Sequence, residues 1–132
     1  MSTYTIAELA REFDITARAI RFYEDHGLLE PMREGAGGRS RVYTARDRTR
    51  LKLTLRGKRL GLTLSEIKSI VDMYESPKDT VAQMQRFLGV LAHQRETLLQ
   101  QQADIEMALA EIAAHEEQCR RMLAEATAPP PQ

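Results

Sequence analysis

Residues 78–128 contain no proline and a single glycine, Gly89, and nothing else in the chain restricts its fold so strongly. A stretch that long without a breaker is one long helix or two abutting ones. Steps of three and four from Val81 pick out Met84, Leu88, Leu91, Arg95, Leu98, Gln102, Ile105, Leu109, Ile112, Glu116, Cys119 and Leu123. Ten of these thirteen positions are apolar with cysteine counted, a sustained coiled-coil stripe. At ~1.5 Å per residue, positions 81 to 123 extend roughly 64 Å. Such a stripe has to be covered by another helix, and the chain supplies no second one of that length. Six of the seven aromatic residues precede position 76 and only Phe87 follows, so the second half has little with which to build a core of its own. Self-association is the economical solution, with Met84, Leu88, Leu91, Leu98, Ile105, Leu109 and Ile112 as the homodimer seam. Arg95, Gln102 and Glu116 interrupt it, as polar seam residues do where they fix register and partner number. The rival is a helical hairpin that folds back near Gln100, Gln101 and Gln102, where no glycine or proline marks a turn.

Upstream, helix starts are legible. A hydroxyl residue followed three positions later by a carboxylate satisfies the orphan amides of a first turn. This pattern occurs at Thr5 and Glu8, Thr44 and Asp47, Thr63 and Glu66, and Ser76 and Asp79, the last with Pro77 at the first helical position. Thr16 is a fifth cap, and Gly27 and Gly61 sit where helix ends favour a left-handed residue. The pattern predicts helices near 6–13, 17–26, 45–60 and 64–75. Between them Glu34, Gly35, Ala36, Gly37 and Gly38 form a turn-rich stretch, which reads as the tip of a hairpin or loop across residues 31–43. The chain thus reads as mainly α, with a helical domain carrying a hairpin over residues 1–75, a dimerisation helix over 76–124 and a frayed tail over 125–132.

Charge narrows the function. The 19 Lys and Arg balance 19 Asp and Glu, but residues 33–59 hold ten basic side chains against Glu34 and Asp47 alone. A local excess of eight positive charges without acidic i,i+4 partners attracts a polyanion. Around the helix that begins at Ala17, Ala19, Ile20 and Tyr23 share one side, and Arg18, Arg21, Phe22 and Asp25 the other. Two arginines three apart on an exposed face suit a DNA major groove. Nucleic acid is therefore the favoured partner over a merely solvated face.

Other classes fit less well. A lone cysteine, Cys119, makes no internal bridge and suits a reducing cytoplasm. The apolar runs of three or four residues are far short of the ~20 that cross a bilayer, and the first residues carry no basic-then-apolar signal segment. A cytoplasmic protein with no membrane partner is expected. No nucleophile–base pair or phosphate-cradling glycine loop is present, and His26, His93 and His115 are scattered, which speaks against an enzyme.

Several motifs in order resemble one family. They are Tyr4 to Ala10, Thr16 to Glu24 (with Ala17, Arg18, Ala19, Ile20, Arg21, Phe22 and Tyr23), Gly27 to Pro31, Arg41-Val42-Tyr43, and Leu60 to Ile67. Together they resemble the amino-terminal domain of MerR-family transcription regulators over roughly residues 4–75. The long helix is similar to that family's antiparallel dimerisation helix. The resemblance implies a winged helix-turn-helix in which Thr16, Arg18, Arg21, Phe22 and Tyr23 contact phosphates and bases. It makes the hairpin a first wing with Arg33, Arg39 and Arg41 near the DNA backbone and Tyr43 anchoring it, and places Lys58 and Arg59 by a second wing. It also implies homodimers on palindromic promoters, whose over-long spacer is bent and untwisted until RNA polymerase engages both recognition elements. At Ser40 this chain departs from the aromatic residue that members commonly carry before the wing arginine. Details around Arg21, Arg33 and the 50–61 segment look like the short subgroup that controls leucine, isovalerate and acyl-CoA catabolism genes.

No cofactor is evident. The metal-sensing members place cysteines at the start of the dimerisation helix, where this chain has Ser76, Pro77, Lys78, Asp79, Thr80 and Val81. His115 and Cys119, four apart, are the one pair that can offer ligands to a soft metal, with a partner subunit completing the set; packing is the simpler role for such a cysteine. A small-molecule effector is expected along the helix, at the dimer interface, or in a pocket between that helix and the DNA-binding domain. An architectural DNA-bending protein without effector response is the alternative, disfavoured by the long helix.

Overall fold

The computed structural model describes residues 2–35, 40–75 and 80–131. Its elements run β1 (Thr3–Tyr4), α1 (Ile6–Phe13), α2 (Ala17–Asp25), β2 (Met32–Glu34), β3 (Ser40–Thr44), α3 (Ala45–Arg59), α4 (Leu64–Glu75) and α5 (Thr80–Thr127). By contact the chain divides into two compact units, Met1–Leu91 and Ala92–Gln132.

In the first unit the predicted caps form. Thr5 and Glu8 exchange side-chain and backbone bonds at the start of α1, Thr44 and Asp47 do so at α3, and Thr63 and Glu66 do so at α4. Thr16 Oγ1 accepts from the Ala19 amide at 3.0 Å. The expected cap at Ser76 and Asp79 lies outside the described residues. Gly61 takes the left-handed φ of +81° that the tight α3–α4 turn requires, and Gly27 does the same after α2 at +76°. After α1 that role falls to Asp14 (φ 54°), a residue type whose short polar side chain tolerates the conformation.

The hairpin is real, with Met32 opposite Val42, Arg33 opposite Arg41 and Glu34 opposite Ser40. A strand absent from the sequence reading joins it: Thr3 and Tyr4 pair with Thr44 and Tyr43, so β3 is the centre of a three-stranded antiparallel sheet. Two residues are too few to show an alternating pattern.

The core gathers Leu9 from α1, Ile20 and Tyr23 from α2, Leu28 and Leu29 beyond it, Tyr43 from β3, Leu51 from α3, and Ile67 and Val71 from α4. Each fully buried aliphatic side chain contributes about 1.5–3 kcal/mol, and together they fix α2 and the hairpin as one surface. Polar ties reinforce this. The buried Asp47 carboxylate accepts from the Glu30 amide at 3.0 Å and the Thr44 amide at 3.1 Å, pinning the approach to β2 onto α3. Helices α3 and α4 touch at Gly57, where an added Cβ would stand 2.6 Å from Ile67 Cγ1.

Helix α5 is continuous from Thr80 to Thr127 and passes through Gln100, Gln101 and Gln102 without a break, which removes the hairpin rival. In the second unit, every described residue from 98 to 131 is exposed. Leu98, Ile105, Leu109 and Ile112 are each 46% exposed or more. Leu99, Met107 and Met122 widen the apolar face beyond the heptad stripe. Among the described residues no helix is long and apolar enough to cross a membrane.

Candidate nucleic-acid interface

Helix α2 presents two contrasting sides. Ile20 and Tyr23 are buried, whereas Thr16, Arg18, Arg21 and Phe22 are exposed. Thr16 uses its oxygen to cap the helix, which leaves the hydroxyl hydrogen free to donate. Phe22 is 44% exposed and packs against the His26 ring at 4.2 Å. Tyr23 requires a correction: its ring is a core element with 6% of the residue at the surface. Burial pushes its phenol pKa up, so it remains a neutral donor. The helical period already sets Tyr23 on the inner side with Ile20 and Phe22 on the outer one, and the burial follows that period rather than the contact role the resemblance implied.

Tyr43 lies in the core as well. It is fully buried and serves as the anchor the resemblance implied, donating from its hydroxyl to Glu24 Oε2 at 3.2 Å. Burial, then the adjacent Glu24 carboxylate, push its pKa well above the ordinary phenol range.

Glu24 is the residue the sequence reading missed. Its carboxylate, on the last turn of α2, accepts from Arg33 Nη2 at 3.2 Å, from Arg41 Nε at 2.8 Å and from Tyr43. The guanidinium groups of both hairpin strands are thereby tied to the helix. Arg33 and Arg41 keep their remaining N–H groups, and their side chains are 53% and 27% exposed. Arg39 lies outside the described residues. Lys58 and Arg59 are exposed in the last turn of α3, just before Gly61.

The density of positive charge needs a second correction. Besides Arg33 and Arg41 on Glu24, three arginines of the basic run, all on α3, are engaged in tertiary ion pairs made by distant carboxylates, not by i,i+4 neighbours. Arg46 pairs with Glu75. Arg48 pairs with Glu12, its Nε within 3.0 Å of both carboxylate oxygens. Arg50 is buried: its Nε donates to the Leu28 carbonyl at 2.6 Å and its Nη2 to Asp72 at 2.9 Å. Arg50 Nη1 stands 3.0 Å from Glu75 Oε2 without hydrogen-bond alignment. These groups hold α3 to α1 and α4. The cations free to meet a polyanion are fewer and better focused. Arg18, Arg21, Arg56, Lys58 and Arg59 form no ion pair among the described residues.

Two further places were candidates. A cleft of about 430 Å³ lies within the first unit, between α4 and the first turns of α5, lined by Ser69, Ile70, Met73, Arg86 and Phe87 among others. His115 and Cys119 share an exposed face of α5 with Ile112, Glu116 and Arg120. Among the described residues no group of three or more His, Cys, Asp or Glu gathers as a metal site.

An HTH pair backed by a hairpin, with unpaired arginines on the second helix, defines a DNA-binding regulator. The chain belongs to the MerR family: a model described as MerR HTH family regulatory protein matches residues 4–74, and one described as MerR, DNA binding matches residues 48–115. It is 29% identical over 105 residues to the HTH-type transcriptional regulator CueR of Salmonella typhi, covering 71% of this chain and 75% of the relative. It is also 29% identical over 107 residues to a ZntR homologue of Haemophilus influenzae, covering 81% and 78%. Among solved structures it is similar to a MerR-family regulator from Bacillus cereus (TM-score 0.68, 28% identity, 98% of this chain and 88% of that one). A second is HiNmlR, a MerR-family regulator lacking the sensor domain and bound to promoter DNA (TM-score 0.64, 27% identity, 98% of each chain). These relatives are transcriptional regulators, and the protein is one too, not an enzyme.

Proposed function

We propose that two copies of the chain pair through α5 in antiparallel fashion and that the paired DNA-binding units hold a palindromic promoter. In this reading Arg18 and Arg21 enter the major groove, Thr16 and Phe22 flank them, and Arg33, Arg41, Lys58 and Arg59 hold the phosphates on either side. The observation that carries it is the exposed, unpaired Arg18 and Arg21 face of α2 beside two further arginines on the hairpin. The apolar stripe of α5, exposed in one chain at Met84, Leu88, Leu98, Ile105, Leu109 and Ile112, supports the pairing. The promoter-bound state of HiNmlR supports a promoter as the ligand.

Gripping a duplex from two ends suits deformation of the spacer between them. Smooth bending of a short site costs about 1–6 kcal/mol, which phosphate contacts from both subunits offset. The distorted spacer then lets RNA polymerase engage both promoter elements. We place a small-molecule effector in the cleft between α4 and the first turns of α5, where Ile70, Met73 and Phe87 supply an apolar lining and Arg86 a cation.

The test is selection of binding sites from random duplex DNA. The wild-type protein should enrich an inverted repeat. Arg18→Ala and Arg21→Ala should each lose about 1–3 kcal/mol of discrimination at one position of each half-site. Enrichment of the same repeat with undiminished affinity by both variants would refute the assignment of α2.

A further inference from the structure

The pairing register of the hairpin sets two arginines directly opposite each other, Arg33 on β2 and Arg41 on β3. Directly opposed residues share a sheet face, and like charges there repel. What makes the arrangement tenable is the Glu24 carboxylate, whose two oxygens divide between them: Oε1 takes Arg33 at 3.2 Å and Oε2 takes Arg41 at 2.8 Å. The Tyr43 hydroxyl, from the same strand as Arg41, holds Oε2 from the buried side. Glu24 is itself largely enclosed, its side chain 11% exposed, so it cannot swing away to solvent.

From this we infer that Glu24 is a positioning residue for DNA binding: it sets Arg33 and Arg41 as a fixed pair of phosphate-directed forks, registered to the recognition helix that carries Arg18 and Arg21. Each arginine spends one N–H group on Glu24 and keeps the others, so the pair remains competent to donate to phosphate oxygens. Because Glu24 belongs to α2, hairpin and helix approach the duplex as one body, and the entropy of ordering two long side chains is met in the free protein. The inference rests on the reading that the hairpin touches DNA.

The experiment separates the two ideas by the salt dependence of binding. Full-length protein is titrated onto mixed-sequence duplex DNA across a range of salt concentrations, with thermal melting confirming that each variant is folded at the temperature used. Each phosphate contact adds about 0.9 to the slope of log K against log salt. The double variant Arg33→Ala/Arg41→Ala should flatten the slope by about 1.8 per chain. Glu24→Gln should flatten it similarly and have no further effect in the double-variant background. Glu24→Asp keeps the charge but withdraws it by one methylene, so it should resemble Glu24→Gln. A flattened slope in the double arginine variant with an unchanged slope in both Glu24 variants would overturn the inference and leave the hairpin reading standing. So would tighter, more salt-sensitive binding by Glu24→Gln together with wild-type behaviour of Glu24→Asp, since Glu24 would then be a counter-charge only. An unchanged slope in the double arginine variant would overturn the hairpin reading and the inference with it.

Discussion

Gly57 leaves almost no room between α3 and α4, and its replacement by alanine has a calculable consequence. The new Cβ would meet Ile67 Cγ1 at 2.6 Å and Cδ1 at 3.1 Å, about an ångström inside the ~3.5–4.0 Å of a favourable carbon contact. Cγ1 is attached to a β-branched carbon with one strongly preferred rotamer in a helix, and Ile67 is 1% exposed. The side chain therefore has nowhere to go unless α3 and α4 separate. Overpacking of this kind costs about 1–3 kcal/mol, while Gly→Ala in a helix interior returns roughly 1 kcal/mol. The expected net is a loss of about 1–2 kcal/mol at the upper end of that overpacking range. Denaturant unfolding monitored by far-ultraviolet circular dichroism reads it directly. The double variant Gly57→Ala/Ile67→Ala should be less destabilised than the sum of the single changes, because removing Ile67 removes the clash. Lys58 and Arg59 follow in the same turn, so DNA affinity should fall as well. A Gly57→Ala protein as stable as the wild type would refute the packing argument.

Acid should loosen the same helix pair. Glu75 is held below its ordinary carboxylate range by the hydrogen bond from Arg46, against a smaller opposing push from burial. For Asp72 burial raises the pKa, but hydrogen bonds from Lys68 and Arg50 outweigh it and leave the group lowered. A folded-state pKa below the unfolded one stabilises above the unfolded value and is lost as pH falls through the folded value; stability should therefore drop below about pH 4, and Glu75→Gln should flatten that drop in pH-dependent unfolding. On α5, Leu98→Lys with Ile105→Lys should yield monomers that keep the folded first unit but bind DNA weakly; an unchanged sedimentation mass would contradict the seam.

How far the sequence could be read depended on the distance between interacting residues. Caps such as Thr5 with Glu8 are three residues apart and governed by local hydrogen-bond chemistry, so they were visible in the residue order. The continuity of α5 was visible because breakers are single residues, and their absence over 78–128 is itself a signal. The arginine run conceals its partners for the opposite reason. Arg46, Arg48 and Arg50 look unpartnered along the chain, yet their carboxylates come from 22 to 36 positions away, on α1 and α4. Glu24 escaped notice likewise, since its partners lie nine to nineteen residues on and only the hairpin register brings them to one carboxylate. For Tyr23 the two sources of expectation diverge: the helical period turns it inward, as the structure has it, whereas the family motif implies a DNA contact.

The most direct test of the central claim is the stoichiometry of the protein on DNA, measured by sedimentation or native mass spectrometry with an inverted-repeat duplex and with one of its half-sites alone. Two chains should load together on the inverted repeat at the concentration where a single half-site remains weakly bound. One chain per duplex, or equal affinity for the half-site and the repeat, would contradict it.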